Sequence, residues 1–247
     1  MGKIKYSFII PVKEKGEYLE EALGAIRGIR REDYEIIVVE GKDGPAKKRD
    51  LGSHKALGEI LIFLDDDSYP EKNYLDVLER DFKNEEIAAV GGPAVTPKND
   101  TFWQKVSGAV FLSPLSGGNP ERYVPFGKKR YIDDWPSVNL TVRKKDFDSV
   151  GGFSSNYWTG EDTKFCLDLI NKTEGKILYD PELIMYHHRR GSLVTHLQQI
   201  ARYAVHRGFF AKKYPQTSLR WKYFLPSGLL IFGVLGVLGV LGVLGKI

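Results

Sequence analysis

Cysteine is nearly absent from this sequence, since Cys166 is the single cysteine among 247 residues. One thiol excludes an intrachain disulfide framework and a cysteine-based zinc site, and it suits a reducing compartment. We also expect no signal peptide in residues 1–12 (MGKIKYSFIIPV), because their apolar run is too short and too β-branched for a signal-peptide core. We therefore expect the main domain to lie in the cytoplasm.

Negative charge is missing from residues 202–222, although the whole chain carries a net charge of only +4. So small a net charge, without a basic and aromatic cluster of a known module, argues against a nucleic-acid partner. The charged residues of this stretch are all basic: Arg202, Arg207, Lys212, Lys213, Arg220 and Lys222. Such a flank favours the cytoplasmic side of a membrane and anionic lipid headgroups.

Residues 224–245 contain no charged side chain and are long enough to cross roughly 30 Å of hydrocarbon as a helix. The sequence thus predicts a basic amphipathic helical region at the membrane interface over 193–223 and a membrane-spanning segment over 224–245. A hydrophobic end belonging to a longer membrane domain is the alternative for the second segment.

Strand and helix patterns alternate through the first half of the chain. A short apolar, β-branched run predicts a strand over 6–12, and further strands are interpreted over 35–40, 59–64 and 88–93. Apolar residues at helical spacing predict a helix over 17–29, and further helices are interpreted over 46–57 and 71–83. Further helices are expected from Gly160 and over about 193–214. This alternation favours an α/β fold with a mostly parallel sheet covered by helices on both faces. Residues 97–135 show no clear period, and we interpret them as holding a mobile loop.

Carboxylates follow three of the predicted strands. Glu14, Glu40 and the run Asp65-Asp66-Asp67 all fall at carboxyl ends, where ligands of such sheets bind. If extended geometry persists, Asp65 and Asp67 point to one side and Asp66 to the other. Two carboxylates on one face can hold Mg²⁺ or Mn²⁺ and bridge it to a diphosphate. An acidic turn that caps the next helix is the alternative.

Six segments occur in an order that resembles the family 2 glycosyltransferases of the GT-A fold. They are SFIIPVKEKGEYLEEAL, YEIIVVEGKDG, AKKRDLGSHKALGEILIFLDDDSYP, NLTVRKKDFDSVGGF, GEDTKFCLDL and YHHRRGS, and they span residues 7–192. The resemblance implies a catalytic domain over 1–192. Its nucleotide-sugar half would cover about 1–95 and its acceptor half about 96–192.

The resemblance also implies which residues bind the donor. Its positions match Pro11, Val12, Glu14 and Glu40 for the base, Arg49 for a basic group near the donor, and Asp65 and Asp66 in the aspartate motif. The sequence departs from the family pattern in having Glu40 instead of Asp, and Asp50-Leu51-Gly52 where an Asn-Gly pair is usual. Surface carboxylates and a solvated helical arginine are the alternative interpretations.

The same resemblance assigns the metal to Asp67, with Asp65 and His187 beside it, and it matches His187 better than His188 in Tyr186-His187-His188-Arg189-Arg190. A neutral imidazole can complete a metal shell. A basic surface turn is the alternative for this segment.

A second carboxylate pair, Glu161-Asp162, opens a predicted helix. A carboxylate within reach of an acceptor hydroxyl can act as a general base. The resemblance places that base at Asp162, with Glu161 as the alternative base or as an acceptor-orienting group. Helix capping is the structural alternative, because acidic residues in a first turn favour the helix dipole.

Together these features predict an inverting transfer of a sugar from a UDP-sugar or GDP-sugar, with Mn²⁺ or Mg²⁺, to an acceptor hydroxyl or phosphate. The acceptor is expected to be lipid-linked or a cell-surface glycan, with the catalytic domain on the cytoplasmic side of a membrane. Inversion is implied by the resemblance alone. The alternatives are a nucleotidyltransferase, although residues 13–16 offer one glycine for a triphosphate loop, and a non-catalytic nucleotide-binding membrane scaffold.

Overall fold

The computed structural model describes residues 3–116, 119–153 and 159–244 of the chain, with side chains described through residue 240. The strands are β1 (Tyr6–Val12), β2 (Tyr34–Glu40), β3 (Ile60–Phe63), β4 (Ser68–Pro70), β5 (Ile87–Gly91), β6 (Ala94–Val95), β7 (Arg130–Ile132), β8 (Leu140–Arg143), β9 (Lys176–Tyr179) and β10 (Met185–His187). The helices are α1 (Glu17–Arg27), α2 (Pro45–Lys55), α3 (Tyr74–Asp81), α4 (Phe102–Leu112), α5 (Lys144–Val150), α6 (Glu161–Lys172), α7 (Leu193–Lys213), α8 (Pro215–Ser218) and α9 (Leu225–Leu244).

A seven-stranded sheet with the order β2-β1-β3-β8-β5-β9-β7 forms the centre of the fold, and β4-β10-β6 form a smaller sheet. Strands β2, β1 and β3 are parallel neighbours, as are β5 and β9. Strand β8 runs antiparallel to both β3 and β5, and β7 runs antiparallel to β9. The α/β fold with a mostly parallel sheet is confirmed, with two antiparallel strands that the sequence pattern did not show.

The hydrophobic core lies on both faces of this sheet. Along β1, Phe8 and Ile10 belong to one cluster of buried side chains, and Ile9 between them belongs to the other. Strand β3 divides in the same way, with Ile62 in the first cluster and Phe63 in the second. Successive side chains of a strand point to opposite faces, so a strand buried on both faces reads as a continuous apolar run.

Residues 97–135 contain more regular structure than the sequence indicated. Helix α4 begins after Thr101, whose hydroxyl accepts from the Gln104 backbone N–H while the Gln104 side chain accepts from the Thr101 N–H. This capping box is a helix-start signal that was present in the sequence. The glycines 117 and 118 within this segment lie outside the described residues.

The described C-terminal part of the protein is mostly helical. Helices α6 and α7 confirm the sequence-based expectations, and α7 leads through α8 and a short helical turn, Trp221–Phe224, to the apolar helix α9. The stretch Trp221–Val240 is long and apolar enough to cross a bilayer, and its 18-residue apolar window contains no residue buried inside the protein.

Candidate active site

The three aspartates form a tight turn between β3 and β4, because β3 already ends at Phe63. The extended geometry on which the expected placement of Asp65 and Asp67 depended does not continue past Phe63, and the turn instead brings these two carboxylates together. The turn is closed by Ser68, whose hydroxyl accepts from the Asp65 N–H and donates to the Asp65 carbonyl, both at 2.9 Å. These local bonds outcompete continuation of the strand.

Pairing of β4 with β10 brings the histidine segment to this turn, since Ser68 lies opposite His187 in the antiparallel register. Ligand atoms of Asp65, Asp67 and His187 all lie within 4.8 Å of one another. His187 Nε2 is 3.1 Å from Asp67 Oδ1, and Arg190 Nη1 is 3.9 Å from Asp67 Oδ2. The structure thus gathers the three residues that the sequence assigned to a metal.

The carboxylates of this turn differ in their electrostatics. Burial acts to raise the pKa of Asp67, but the neighbouring His187 and Arg190 outweigh it and hold this pKa below its usual range. Burial, reinforced by the charges of Asp67 and Asp65, raises the pKa of Asp66 to about 6. The negative charge is therefore concentrated on the side of the turn that faces His187.

Two carboxylates suit a hard divalent cation, whereas the fit of His187 depends on a neighbour. Arg189 Nη1 is 2.9 Å from His187 Nδ1, and a guanidinium can only donate. Nδ1 then accepts, and Nε2 carries the proton that it donates to Asp67. Ligation through Nε2 requires the opposite tautomer, so Arg189 would first have to turn away. Asp65 and Asp67 consequently fit a metal as they stand, and His187 fits after a local rearrangement.

His188 faces a different network from His187. Its ring nitrogens contact Asp100 and, at 2.8 Å, Glu21, and its ring stacks on Tyr18 with centroids 4.2 Å apart. These contacts join α1 to the segment before α4. The His188 side chain is thereby engaged in packing, while its backbone N–H donates to the Asp67 carbonyl at 3.0 Å.

A buried arginine links the aspartate turn to the second carboxylate pair. Arg49 is 3% exposed, and its guanidinium bonds Asp65 Oδ1 at 2.6 Å and Glu161 Oε1 at 3.4 Å. Arg49 also lies over the ring of Phe153, 5.6 Å from its centroid. The alternative of a solvated helical charge does not hold for Arg49.

Glu161 and Asp162 occupy the first turn of α6, directly after Gly160. Burial, followed by the charge of Asp162, raises the pKa of Glu161 to about 7. Burial, followed by the Asp134 carboxylate, raises the pKa of Asp162 above its usual range. Asp162 accepts from the Thr163 N–H at 2.8 Å and from the Ser137 N–H at 3.4 Å.

Asp162 lines a cavity of about 420 Å³ between the sheet domain and the C-terminal helices, whereas Glu161 does not line it. Other lining residues come from α4, α7 and the turn before α9, including Phe111, Tyr203, His206 and Tyr223. The two adjacent carboxylates therefore face different surroundings: Glu161 contacts Arg49, and Asp162 faces open space.

The residues matched to the nucleotide base lie together at the carboxyl ends of β1 and β2. Pro11 pairs with Val39 and Val12 with Glu40, while Glu14 follows β1 as an exposed side chain. Glu40 is also exposed, and its carboxylate is 3.4 Å from Lys15 Nζ.

A lysine that the sequence pattern did not single out holds the carboxyl ends of β1 and β2 together. Lys48 is 6% exposed, and its ammonium donates to the carbonyls of Val12 at 2.9 Å and Gly41 at 3.2 Å. No pattern distinguishes Lys48 from its neighbour Lys47, whose side chain is 65% exposed, because only the tertiary fold decides which one is buried.

Comparison with known proteins gives a consistent result. A family model described as glycosyl transferase family group 2 matches residues 60–247. The pre-mycofactocin glycosyltransferases of two Mycobacterium tuberculosis strains (CDC 1551 / Oshkosh and ATCC 25618 / H37Rv) are 25% identical to this chain over 206 residues. That match covers 75% of this chain and 43% of each relative, so the chain spans less than half the length of these curated relatives.

Solved structures share the fold. The mannosyltransferase PcManGT of Pyrobaculum calidifontis, in complex with GDP-Man and Mn2+, superposes with a TM-score of 0.62 at 14% identity, covering 100% of this chain and 81% of that one. TarS of S. aureus, residues 1–349 in complex with UDP, gives a TM-score of 0.55 at 15% identity, covering 83% of this chain and 65% of that one. At such low identity these likenesses show a common architecture.

Proposed function

Because this chain belongs to glycosyl transferase family group 2, we propose that it transfers a sugar from a nucleotide diphosphate sugar to an acceptor, with inversion at the anomeric carbon. The resemblance found in the sequence motifs is confirmed at the level of the family and the GT-A fold. Structures with this fold have been determined with UDP, UDP-GlcNAc and GDP-Man, which supports a UDP-sugar or GDP-sugar donor.

The observation that carries this proposal is the bridge through Arg49. One guanidinium holds Asp65, in the turn assigned to the donor and metal, and Glu161, which precedes the assigned base. The donor half (about 1–95) and the acceptor half (about 96–192) are thereby joined at their carboxylates. A transfer reaction needs both reactants held in fixed relative positions, and a buried charge-assisted contact provides that rigidity.

Asp67 and Asp65 would hold Mn²⁺ or Mg²⁺, with His187 as a further ligand once Arg189 moves. When bound, this ion would neutralise the charge that develops on the diphosphate leaving group. Pro11, Val12, Glu14 and Glu40 lie at the rim assigned to the base, and Asp66 lies in the aspartate turn. Lys48 fixes the carbonyls of that rim.

Asp162 is the proposed general base, and Glu161 the positioning residue that acts through Arg49. The acceptor's O–H proton passes to Asp162, the acceptor oxygen bonds to the anomeric carbon, and the bond from that carbon to the diphosphate oxygen breaks. The nucleoside diphosphate then leaves. Support for Asp162 over Glu161 comes from the cavity, because a base must reach the acceptor hydroxyl.

We further propose that the enzyme works at a membrane surface, on a lipid-linked or cell-surface glycan acceptor and on the cytoplasmic side. Support comes from the apolar stretch Trp221–Val240 and from the basic residues that precede it. A nucleotidyltransferase and a non-catalytic scaffold are disfavoured by the family match. A scaffold would also have no need for the arginine bridge between two carboxylate pairs.

A ligand-dependent thermal shift tests the proposal. The protein is screened against UDP, GDP and their sugars with Mn²⁺, Mg²⁺ or excess EDTA, alongside the variants Asp67→Ala and Asp76→Ala. Asp76 is a matched control, because its side chain is 73% exposed and pairs only at the surface with Arg31 among its described contacts. We expect stabilisation by one nucleotide series with a divalent cation, lost in EDTA and in Asp67→Ala but kept in Asp76→Ala. Equal stabilisation in EDTA and in Asp67→Ala would exclude the metal role.

A further inference from the structure

A buried carboxylate outside the sequence motifs joins the first turn of α6 to two arginines. Asp134 is 5% exposed, and its Oδ1 accepts from the Thr163 hydroxyl at 3.0 Å. Its Oδ2 accepts from Arg122 Nη2 at 2.9 Å and from Arg207 Nη2 at 3.2 Å. Arg122 ends the short helical turn Pro120–Arg122, and Arg207 lies on α7. Asp134 therefore connects α6, α7 and this turn.

Asp134 reaches the proposed base through Thr163. The Thr163 backbone N–H donates to Asp162 Oδ1 at 2.8 Å, while the Thr163 hydroxyl donates to Asp134. Thr163 is 2% exposed, so water does not compete for these bonds. Asp162 and Asp134 are thus held by the same residue, and their relative position is fixed.

The two arginines line the cavity beside Asp162, whereas Asp134 does not. Among the described residues that line this cavity, Asp162 is the only carboxylate. Burial acts to raise the pKa of Asp134, but Arg122 and Arg207 outweigh it and hold this pKa below its usual range. Asp134 is therefore ionised near pH 7, and it holds both guanidiniums from outside the cavity.

The charges of these three residues act on Asp162 in opposite directions. Burial, followed by the charge of Asp134, raises the pKa of Asp162, while Arg207 and Arg122 act to lower it. Five other titratable groups lie around Asp162 or its cavity: Glu161, Cys166, Tyr123, Tyr203 and His206. Burial raises the pKa values of the thiol and the two phenols and lowers the pKa of the imidazole to about 4, so these four groups are neutral near pH 7. Glu161 is engaged by Arg49. Among the described residues, Asp134 and the two arginines therefore dominate the charge environment of Asp162.

We propose that Asp134 is a positioning residue for the transfer reaction, which holds the two guanidiniums away from Asp162 and so keeps the base carboxylate available to the acceptor proton. The inference rests on the proposed function and adds to it a residue that need not contact either substrate. Without the charge of Asp134, the guanidiniums would turn to Asp162, the remaining carboxylate at the cavity. An opposite charge stabilises the ionised form of a carboxylate, and this makes the carboxylate a weaker base.

Four variants of the full chain in detergent micelles test this proposal: Asp134→Asn, Arg207→Gln, the double variant that combines them, and Asp133→Asn. Asp134→Asn keeps an oxygen that accepts from Thr163 and removes the negative charge. Arg207→Gln removes one guanidinium, so the double variant restores the net charge of the site. Asp133 is the matched control, because it precedes Asp134, its side chain is 59% exposed and its partner is Arg220.

The first measurement does not depend on activity. Each protein is denatured chemically between pH 4 and 8, with Asp162 present and with Asp162→Asn, and the difference in the free energy of unfolding gives the titration of Asp162. In the wild type the folded pKa lies above the unfolded value, so the contribution of Asp162 to stability is full in acid and is lost as the pH rises through the folded pKa. This loss should move down by at least about one pH unit in Asp134→Asn and should move up in Arg207→Gln. The double variant should fall between them, and Asp133→Asn should match the wild type.

The second measurement is the release of nucleoside diphosphate from the donor over the same pH range, with water in the place of the acceptor. The rising limb of the rate should shift with the titration of Asp162. The plateau should fall about three- to tenfold in Asp134→Asn and recover in part in the double variant. A purely structural role of Asp134 would lower the plateau without moving the limb, and the double variant would then be the least active.

A titration of Asp162 that does not move in Asp134→Asn, or that moves equally in Asp133→Asn, would overturn the proposal. If Asp134→Asn does not fold, Arg207→Gln decides, since a titration that fails to move up in that variant would also overturn it. Binding of UDP and GDP with Mn²⁺ is measured on the same samples. Absence of nucleotide binding in the wild type would reject the transferase function, whereas the unfolding data would still show whether Asp134 controls Asp162.

Discussion

At the scale of single residues, the site depends on how neighbouring side chains of the same type are given different surroundings. Glu161 and Asp162 are adjacent, yet one contacts a buried arginine and the other faces a cavity. His187 and His188 are divided in the same way, between the aspartate turn and the network of Glu21. The surroundings of each side chain depend on the face of the helix or strand on which it lies. They support separate roles for residues that the sequence could only treat as pairs.

Replacing Asp162 tests the assignment of the base. Asp162→Asn should keep donor affinity within a few-fold and reduce kcat by about 10²-fold or more, the typical effect of losing a general base. Glu161→Gln should cost less, because its amide oxygen can still accept from Arg49. Steady-state kinetics and nucleotide binding measure both effects. A near-normal Asp162→Asn together with an inactive Glu161→Gln would move the base to Glu161.

The wild-type rate should also depend on pH in a defined direction. A general base acts only in its ionised form, and the pKa of Asp162 is raised by burial and by Asp134. Activity should therefore rise with pH and reach its plateau above the pH at which an ordinary aspartate is already ionised. A kcat profile between pH 4 and 8 measures this, and a flat profile would argue against Asp162 as the titrating group.

Asp50 offers a stability test outside the site. Burial raises its pKa to about 6, and its Oδ1 accepts from the Phe153 N–H at 2.8 Å. Because the folded pKa of Asp50 lies above its unfolded value, the contribution of Asp50 to stability is full below about pH 4 and is lost as the pH rises through 6.

Asp50→Asn keeps the side-chain oxygen that accepts from the Phe153 N–H and removes the negative charge. It should be neutral in acid and more stable by roughly 1 kcal/mol at pH 7, after allowance for partial solvation. Chemical denaturation at pH 4 and 7 measures the difference, and equal effects at both would contradict this account.

At the scale of elements, the sequence predicted the strands whose side chains are buried on both faces along their whole length. Strands β1 and β3 are buried on both faces, so their apolar runs were sufficient evidence. The direction of β8 was not predictable, because strand pairing is set by contacts between distant segments. Helix α4 was missed although its capping box could be read at Thr101 and Gln104. Residue types at the site could be named from the motifs, but the arginine bridge and the cavity depend on tertiary packing.

Lys48 joins helix α2 to the carboxyl ends of β1 and β2, which we propose to bind the donor, and this contact provides a test at this scale. Lys48→Met retains the apolar stem and removes the donor to the carbonyls of Val12 and Gly41. Stability should fall by about 1–3 kcal/mol, since buried carbonyls lose a charged partner, and nucleotide affinity should fall with it. Lys47→Met is the matched control on the same helix, because its pairing with Asp43 is exposed. Equal denaturation midpoints for the two variants would show that the buried lysine does not support the rim.

At the scale of the whole molecule, the C-terminal helices close the cavity beside Asp162 and also extend away from the domain. Residues of α7 and the turn before α9 line the cavity at Asp162, while α9 extends beyond the domain with its apolar side chains exposed. The same segment thus connects the proposed acceptor site to a helix suited to hydrocarbon. This arrangement would hold the cavity near the boundary between lipid and water.

Membrane attachment is the prediction that follows from this arrangement. Glycine recurs at every third position from 233 to 245, and each glycine costs roughly 1 kcal/mol of helix propensity in water. In hydrocarbon, backbone groups left unpaired would cost more than this loss of helix propensity, so a bilayer favours the helix.

Protein of the full sequence should sediment with membranes through high-salt washing. A chain ending at Gly228 keeps Phe224, Pro226 and Ser227 at the cavity and should bind vesicles only weakly, through Lys212, Lys213 and their basic neighbours. That residual binding should vanish in high salt and in a Lys212→Ala/Lys213→Ala variant of the shortened chain. Sedimentation with anionic and neutral vesicles measures each step. If the full sequence remains soluble without detergent and ignores anionic vesicles, the membrane assignment is wrong, and the apolar face of α9 must be covered by protein instead.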